Sequence, residues 1–548
     1  MPTPPPILSI DQNSHSLWDV LPKLHALAAA GRPVRHFVED IDAAFTSLGA
    51  DLRDSALRLT PERFHHSGGA DWGAALFYTE FLGRMPVELR DWEPLTGLKT
   101  AALARQLGRS IDDLYDEFSP SGNWQLVGSS FVGDREHHRV LGDLTVRETA
   151  EFVRMTLAKG REDTFAAFPS TASHQRLAAW FDREEALVAG LLDRFSDGRL
   201  VQLYEAWMAA RLPQAAGRVK LDLTSRLFAT AAPAGRELLD VFVADYGLAS
   251  TLYNEAVAET DLKLRPLRRK DGELPFFATV DHAGHAARTV ARLRDGQIVI
   301  GDRAFDPAEG GRLPVAAMAD AGVRCLAGKA LVLVSQVRLG EAARGLALPY
   351  RGSLYMPAAH RLARKLAAAG LLPGPLKPVI RVRFRLLDRL RTVETPIRLP
   401  PHLAAAMGSE EVPASRLGRE WADLAAEAAA RLETFRDDRQ RQRWQQESFP
   451  KLFDELDALD RRRREVASKD PKAPELRAVW KTMRRLRGDL LDRTVRQIDR
   501  DGQVAELDYY DSRGALLPWC VALGGEAFYN QLIAEAEVYE EHGREPVP

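Results

Sequence analysis

Apolar positions recur along this chain in two rhythms, and the rhythm changes by region. Leu21, Leu24 and Leu27 fall at helical spacing and Val38, Ile41 and Phe45 repeat it, which predicts helix across residues 18–59. Residues 98–107, most of 144–210, and 234–243 read the same way. Strands are expected where apolar runs are short or alternate: at 124–127, at 217–223, at 276–280, at 331–334, and at 379–384, where apolar residues alternate with arginines. Residues 288–293 and 297–300 flank Asp295-Gly296, the dipeptide favoured in tight hairpins. Residues 350–373 give a loop, then a helix that stops at Gly370 and Pro373. The first dozen residues are rich in proline and are expected to form a mobile arm.

Beyond residue 414 the pattern becomes long and helical. Leu417, Trp421, Leu424, Ala428, Leu432 and Phe435 form one stripe, and Leu476, Val479, Met483, Leu486, Leu490 and Ile498 form another beyond Asp470-Pro471 and Pro474. Two charged-faced helices joined by a proline-bearing turn predict an antiparallel, coiled-coil-like hairpin. The arginine run at 461–464 is either a solvated helix face or a contact for RNA. Leu517, Trp519, Val521, Leu523, Phe528 and Tyr529 predict a C-terminal tail that packs back on the body.

Composition narrows the class. A chain of 548 residues, 45% apolar and 28% charged, is an ordinary globular protein of α/β type with several domains. A net charge of -2, from 75 basic and 77 acidic residues, requires no polyanionic partner, and no nucleic acid is expected. Two cysteines, Cys325 and Cys520, are too few for a disulfide scaffold or a paired-cysteine zinc site. Each reads as a buried thiol or as a nucleophile. The opening MPTPPPILSIDQ lacks the basic and apolar regions of a signal peptide, and no run approaches the roughly 18 apolar residues of a membrane span. A cytoplasmic location with no membrane partner is therefore expected.

Walker-A, G-x-G-x-x-G and H-E-x-x-H motifs are absent, so no cofactor is assigned. The strongest local signal follows Gly133 at the end of a predicted strand: Asp134, Arg135, Glu136, His137 and His138. A carboxylate beside an imidazole suits general acid–base work; a charged loop is the alternative. The pairs His65-His66 and His137-His138, with Glu136, also admit a metal reading, although neighbouring side chains on a strand point apart. His282 and His285 read as the surface of a hairpin.

The order of these segments resembles that of the bacillithiol-biosynthesis cysteine-adding enzyme family. Residues 131–138 resemble that family's aromatic-Val-Ala-Gly-Glu-Asp-His-Asp segment, and Leu95-Thr96-Gly97 with Lys99 its Leu-Thr-Gly-Pro-x-Tyr loop. Residues 217–223 resemble its Gly-Leu-Val-Leu-Leu-Asn strand, and residues 274–300 sit where it has a small β insert. Gly352-Ser353-Leu354-Tyr355 resembles its Gly-x-Glu-x-x-Tyr stretch, and residues 378–388 its Met-Pro-Arg strand, with Arg381 at the arginine. The helical hairpin and the ending from Leu517 to Phe528 are also similar.

The resemblance implies a Rossmann-like core at 1–255 and 311–412, a small β-rich insert at 256–310, an antiparallel coiled coil at 413–505 that pairs two copies, and a tail at 506–548. It implies a ligase coupling an amino acid, cysteine, to the amine of an amino-sugar conjugate, glucosaminyl malate. Asp134, Glu136, His137 and His138 would be catalytic; Thr96, Gly97, Lys99, Gly133, Tyr355 and Arg381 would bind substrate. The family's Gly-Gln-Gln motif is replaced by Arg90-Asp91-Trp92-Glu93-Pro94, and its Gly-x-Glu glutamate by Ser353. A non-catalytic scaffold working through the coiled coil and a metal-dependent hydrolase are the competing expectations.

Overall fold

Ile7–Ile10, strand β1, is buried at every position, as a central strand of a parallel sheet must be. The expected mobile arm therefore does not hold for these residues. Four residues reading ILSI offer a strand's worth of apolar surface, and the proline-rich character stops at Pro6. The computed structural model describes residues 6–10, 17–42, 92–109, 138–212, 217–260, 266–340, 344–353, 355–513 and 517–541. The chain divides into two units: Met1–Gly83, Trp124–Arg389 and Tyr509–Pro548 form the first, Arg84–Asn123 and Leu390–Asp508 the second.

In the first unit the helix Leu17–Ala29 follows the predicted rhythm, but Val34–Val38 is strand β2 rather than helix. Gly31, at φ 74°, and Pro33 end the helix, and the β-branched VRHFV segment then pairs in parallel with β1. The helical spacing of Val38 and Ile41 straddles the end of this strand and is a coincidence. His138–Arg139 is β3 and Val219–Leu223 is β4. Glu273–His282, His285–Arg294, Gln297–Ile300, Arg303–Phe305 and Val323–Gly328 are β5 to β9. Leu346–Pro349 is β10 and Val379–Arg383 is β11.

The main sheet runs β4-β2-β1-β10-β11 with all pairs parallel. Glu537–Glu541, which adds to β11 antiparallel, closes its far edge. The second sheet is antiparallel, in the order β8-β7-β6-β5-β9, with β3 pairing β6. Its β6–β7 turn is the predicted one. Asp295 (φ 49°) and Gly296 (φ 81°) are both left-handed, the backbone that an Asp-Gly hairpin provides. Ala283 (φ 50°) and Gly284 (φ 84°) turn β5 into β6 in the same way. Phe37, Phe242 and Phe276, each 0% exposed, sit in the hydrophobic core of this unit.

Residues 330–334, expected as a strand, lie in the helix Ala330–Gln336. Leu331, Val332 and Val334 are all buried, and a short run apolar on every side carries no period to separate strand from helix. The C-terminal helix Leu517–Ala534 lies against Leu17–Ala29 and Thr171–Arg194: Tyr529 Oη is 2.6 Å from His25 Nδ1, and Ser173 Oγ donates to Ala522 O at 2.9 Å.

The second unit is mostly helical. Ala414–Arg436, Asp438–Ser448, Pro450–Lys469 and Pro474–Ala505 follow in order. The last two run antiparallel, with Arg462 Nε donating to Glu475 at 3.0 Å and the Arg463 guanidinium 5.0 Å from the Trp480 ring. Trp92, Leu95 and Leu103 pack with Phe435, Val495 and Ile498 into the core of this unit. Among the described residues no helix is long and apolar enough to cross a membrane.

Candidate active site at the strand ends

Strand β2 runs out into Glu39-Asp40-Ile41-Asp42, and β4 beside it runs out into Thr224-Ser225. Parallel register, with Val38 opposite Leu223, sets these two exits side by side. The carboxyl ends of parallel strands are where such sheets collect their chemistry. Thr224 Oγ1 lies 2.7 Å from Asp40 Oδ1 and 3.0 Å from Glu39 Oε1, and accepts from Asp40 N at 3.1 Å. A hydroxyl has one proton to give, so it serves one carboxyl at a time. Ser225 N donates to Asp40 Oδ1 at 2.7 Å, and Ile41 N and Asp42 N donate to Glu39 Oε1 at 2.9 and 3.0 Å.

Three carboxyls fall within four residues, and at neutral pH Glu39 among them holds its proton. Burial, then the charges of Asp42 and Asp40, push Glu39 up to about 8. Burial also raises Asp40, against the bonds from Ser225 and Thr224. Asp42 has a cation of its own in Arg288, whose guanidinium stacks 3.6 Å from the Phe277 ring. Asp222, the last acid on β4, behaves in the opposite way: burial alone would raise it, but Arg35, the Leu223 N–H and Arg226 outweigh burial and hold it low. Glu39 keeps part of its surface open and is both reachable and desolvated.

The segment from β3 onward is stitched to this acidic turn. His138 lies opposite Arg288 in the β3–β6 ladder. Leu141 N donates to Asp42 O at 2.9 Å and Gly142 N to Asp40 O at 2.8 Å. A Cβ at Gly142 would meet Asp40 O at 2.8 Å, so the close approach requires glycine. Next along the chain, Asp143 accepts from Arg139 Nε at 2.7 Å and bonds His285 Nδ1 at 2.8 Å. Glu148 is pushed down to about 2: burial opposes this, but Arg139 and Thr145 prevail. Cys325 Sγ donates to Ser225 O at 3.4 Å, and burial with the Asp40 and Glu39 charges pushes the thiol up to about 12, which removes it as a nucleophile. Burial pushes Cys520 up as well.

Of the residues singled out in the sequence, Gly133, Asp134, Glu136 and His137 lie outside the described residues, as do His65 and His66. His138 opens β3 beside the acidic turn. Thr96, Gly97 and Lys99 belong to the second unit, Tyr355 and Arg381 to the first. Thr96 Oγ1 accepts from Leu98 N at 3.2 Å, and Gly97, at φ 70°, packs so tightly on Arg441 that a Cβ would stand 2.6 Å from its Nη2. Lys99 is exposed ahead of the helix Thr100–Leu107. Tyr355 precedes the helix Met356–Ala368.

Arg381 is 7% exposed. Its Nε donates to Glu541 at 2.8 Å and its Nη1 to Pro349 O and Gly352 O at 3.0 and 2.6 Å, which ties the loop after β10 to the edge strand. Glu39, Asp40, Asp42, Thr224 and Arg288 were not legible as a group, because a helical reading of Val38 and Ile41 hid a strand that ends in E-D-x-D. Among the described residues no group of three or more His, Cys, Asp or Glu is arranged to hold a metal ion. Comparison of the chain with protein-family models, curated proteins and solved structures finds no match.

Proposed function

We propose that the first unit is an amino-acid–amine ligase in which Glu39 takes the proton from the attacking amine. The observation that carries this reading is the Glu39 carboxyl, held near 8 at the carboxyl end of a parallel strand. A primary amine arrives as an ammonium ion at neutral pH and must lose a proton before it attacks. A carboxylate matched to that range is a better base than an ordinary one. Thr224 positions Glu39 and Asp40 together, and the Arg288–Asp42 pair keeps a further negative charge neutralised.

We read the sheet as Rossmann-like. Numbered along the chain, its parallel strands take the doubly wound order 3-2-1-4-5. The long antiparallel helices of the second unit are read as a coiled coil through which two copies pair in the cytoplasm. The collinear resemblance supports cysteine and glucosaminyl malate as the substrates. The purified protein is given both with and without ATP; with ATP, which activates the cysteine carboxyl and carries its oxygen away, a product equal in mass to their sum less one water is expected. Glu39→Gln is expected to abolish it. No product under either condition, or undiminished product from the variant, removes this reading.

A further inference from the structure

Pro450–Lys469 and Pro474–Ala505 form a helical hairpin whose turn end is strongly basic. From Arg461 to Arg487, eleven lysines and arginines stand against three acids, Glu465, Asp470 and Glu475. The near-zero balance of the whole chain conceals this excess. It lies wholly in the second unit and does not rest on the ligase reading of the first. The arginine run at 461–464 is largely spent within the hairpin: Arg462 pairs with Glu475 and Glu465, and Arg463 and Arg464 pair with Asp460. Glu465 also holds Lys469, and Asp470 accepts from Lys472 N.

The uncompensated charge sits on the second helix. Arg477, Lys481, Arg484, Arg485 and Arg487 are all exposed, and among the described residues none has a hydrogen-bond or ion-pair partner. No acid interrupts this helix between Glu475 and Asp489. Val479, Met483, Leu486 and Leu490 are its buried stripe, so helical spacing turns Arg477, Lys481, Arg484 and Arg485 to the opposite side. Further along that side a Cβ at Gly488 would stand 3.3 Å from Gln106 O, and the helix Thr100–Leu107 brings no acid. Asp492 is held by Arg109 and Arg496. Asp489, one turn from Arg485, offsets at most one of the five charges.

A large ring lies in the same stretch. Trp480 is 48% exposed. It stands three residues after Arg477 and four before Arg484, spacings that make neighbours on a helix surface. Cations one helical turn apart are about 5.4 Å apart along the axis, a row suited to successive phosphates rather than to one small anion. Four of the five are arginines, whose forks match phosphate oxygens. An indole among such cations suits an unpaired base, which stacks on it while the backbone follows the charges. A membrane surface would call for a broad apolar face beside the charges, and this helix buries its own. A second copy would bring the same charges to this face and be repelled. Unpaired bases are the ordinary state of RNA loops and ends.

We propose that this face of the hairpin binds an unpaired stretch of RNA, with phosphates along Arg477, Lys481, Arg484 and Arg485 and one base on Trp480. The test is fluorescence anisotropy of the full-length protein with a labelled oligouridylate of about twelve nucleotides, between about 50 and 200 mM salt. Binding is expected, with log K falling against log salt at a slope of about −2 to −3, the release from three or four phosphates at about 0.7 each. Arg477→Gln, Lys481→Gln and Arg484→Gln together are expected to flatten that slope by about 2. Trp480→Ala is expected to weaken binding about tenfold with the slope unchanged, and Trp480→Phe to restore most of it. All four positions are exposed, so the fold is not at stake. No binding at about 50 mM salt, a slope untouched by the triple change, indifference to Trp480→Ala, or equally tight binding of duplex RNA, phosphatidylserine vesicles or polyglutamate overturns the proposal.

Discussion

Replacing Glu39 with glutamine keeps the shape of the side chain and removes its charge. In the folded protein this carboxyl holds its proton up to about 8, against an ordinary value of 4.5. Between those two values the native state binds a proton that the unfolded chain has released. Stability must therefore fall as pH rises through that window, and Glu39 contributes no slope below the lower value or above the upper one. At about 1.36 kcal/mol for each factor of ten in proton affinity, the gap sets a ceiling of about 5 kcal/mol. Glutamine has no proton to lose and can still accept from Ile41 N and Asp42 N through its carbonyl. The variant is expected to match the wild type near pH 5 and to exceed it near pH 9, by up to this ceiling. Thermal unfolding of both proteins across that range, at fixed ionic strength, reads the difference directly. A stability difference that does not change with pH, or a wild type that gains on the variant as pH rises, would refute the placement of Glu39 as a desolvated carboxyl beside Asp40 and Asp42.

Other substitutions probe the same neighbourhood and its supports. Arg288→Met leaves Asp42 desolvated without its cation and is expected to cost about 3–5 kcal/mol by urea unfolding; a loss under about 1 kcal/mol would mean that water replaces the guanidinium. Gly142→Ala drives a methyl to 2.8 Å from Asp40 O and is expected to cost about 1–3 kcal/mol, and to alter the pH slope assigned to Glu39. Arg381→Lys cannot reach Glu541, Pro349 O and Gly352 O together. Limited proteolysis should then release the C-terminal edge strand earlier, and an unchanged digestion pattern would show that the fork is dispensable.

Some of this architecture is written locally and some is not. The Asp295-Gly296 turn was legible because its two left-handed residues are a matter of a dipeptide alone. The alternation at Val379–Arg383 likewise needs only its own residues. Residues 331–334 were misread because a run apolar at every position shows no polar face, and β2 because two apolar positions across a strand end mimic a helical step. The candidate site illustrates a harder limit. Thr224 meets Asp40 across 184 positions, and Arg288 meets Asp42 across 246. Parallel pairing and the β3–β6 ladder make those meetings, and neither leaves a local pattern. Of the charged run at 134–138, only His138 lies within the described residues, as the ladder partner of Arg288. The acids at the centre of the candidate site lie about a hundred residues upstream.

The most direct measurement is the pH–rate profile of amide formation from cysteine and glucosaminyl malate, taken for the wild type and for Glu39→Gln. The wild-type rate should climb as Glu39 loses its proton, with a midpoint near 8, and the variant should lose both the rate and that limb. A variant that turns over as fast as the wild type with the same profile would contradict the assignment of Glu39 as the base.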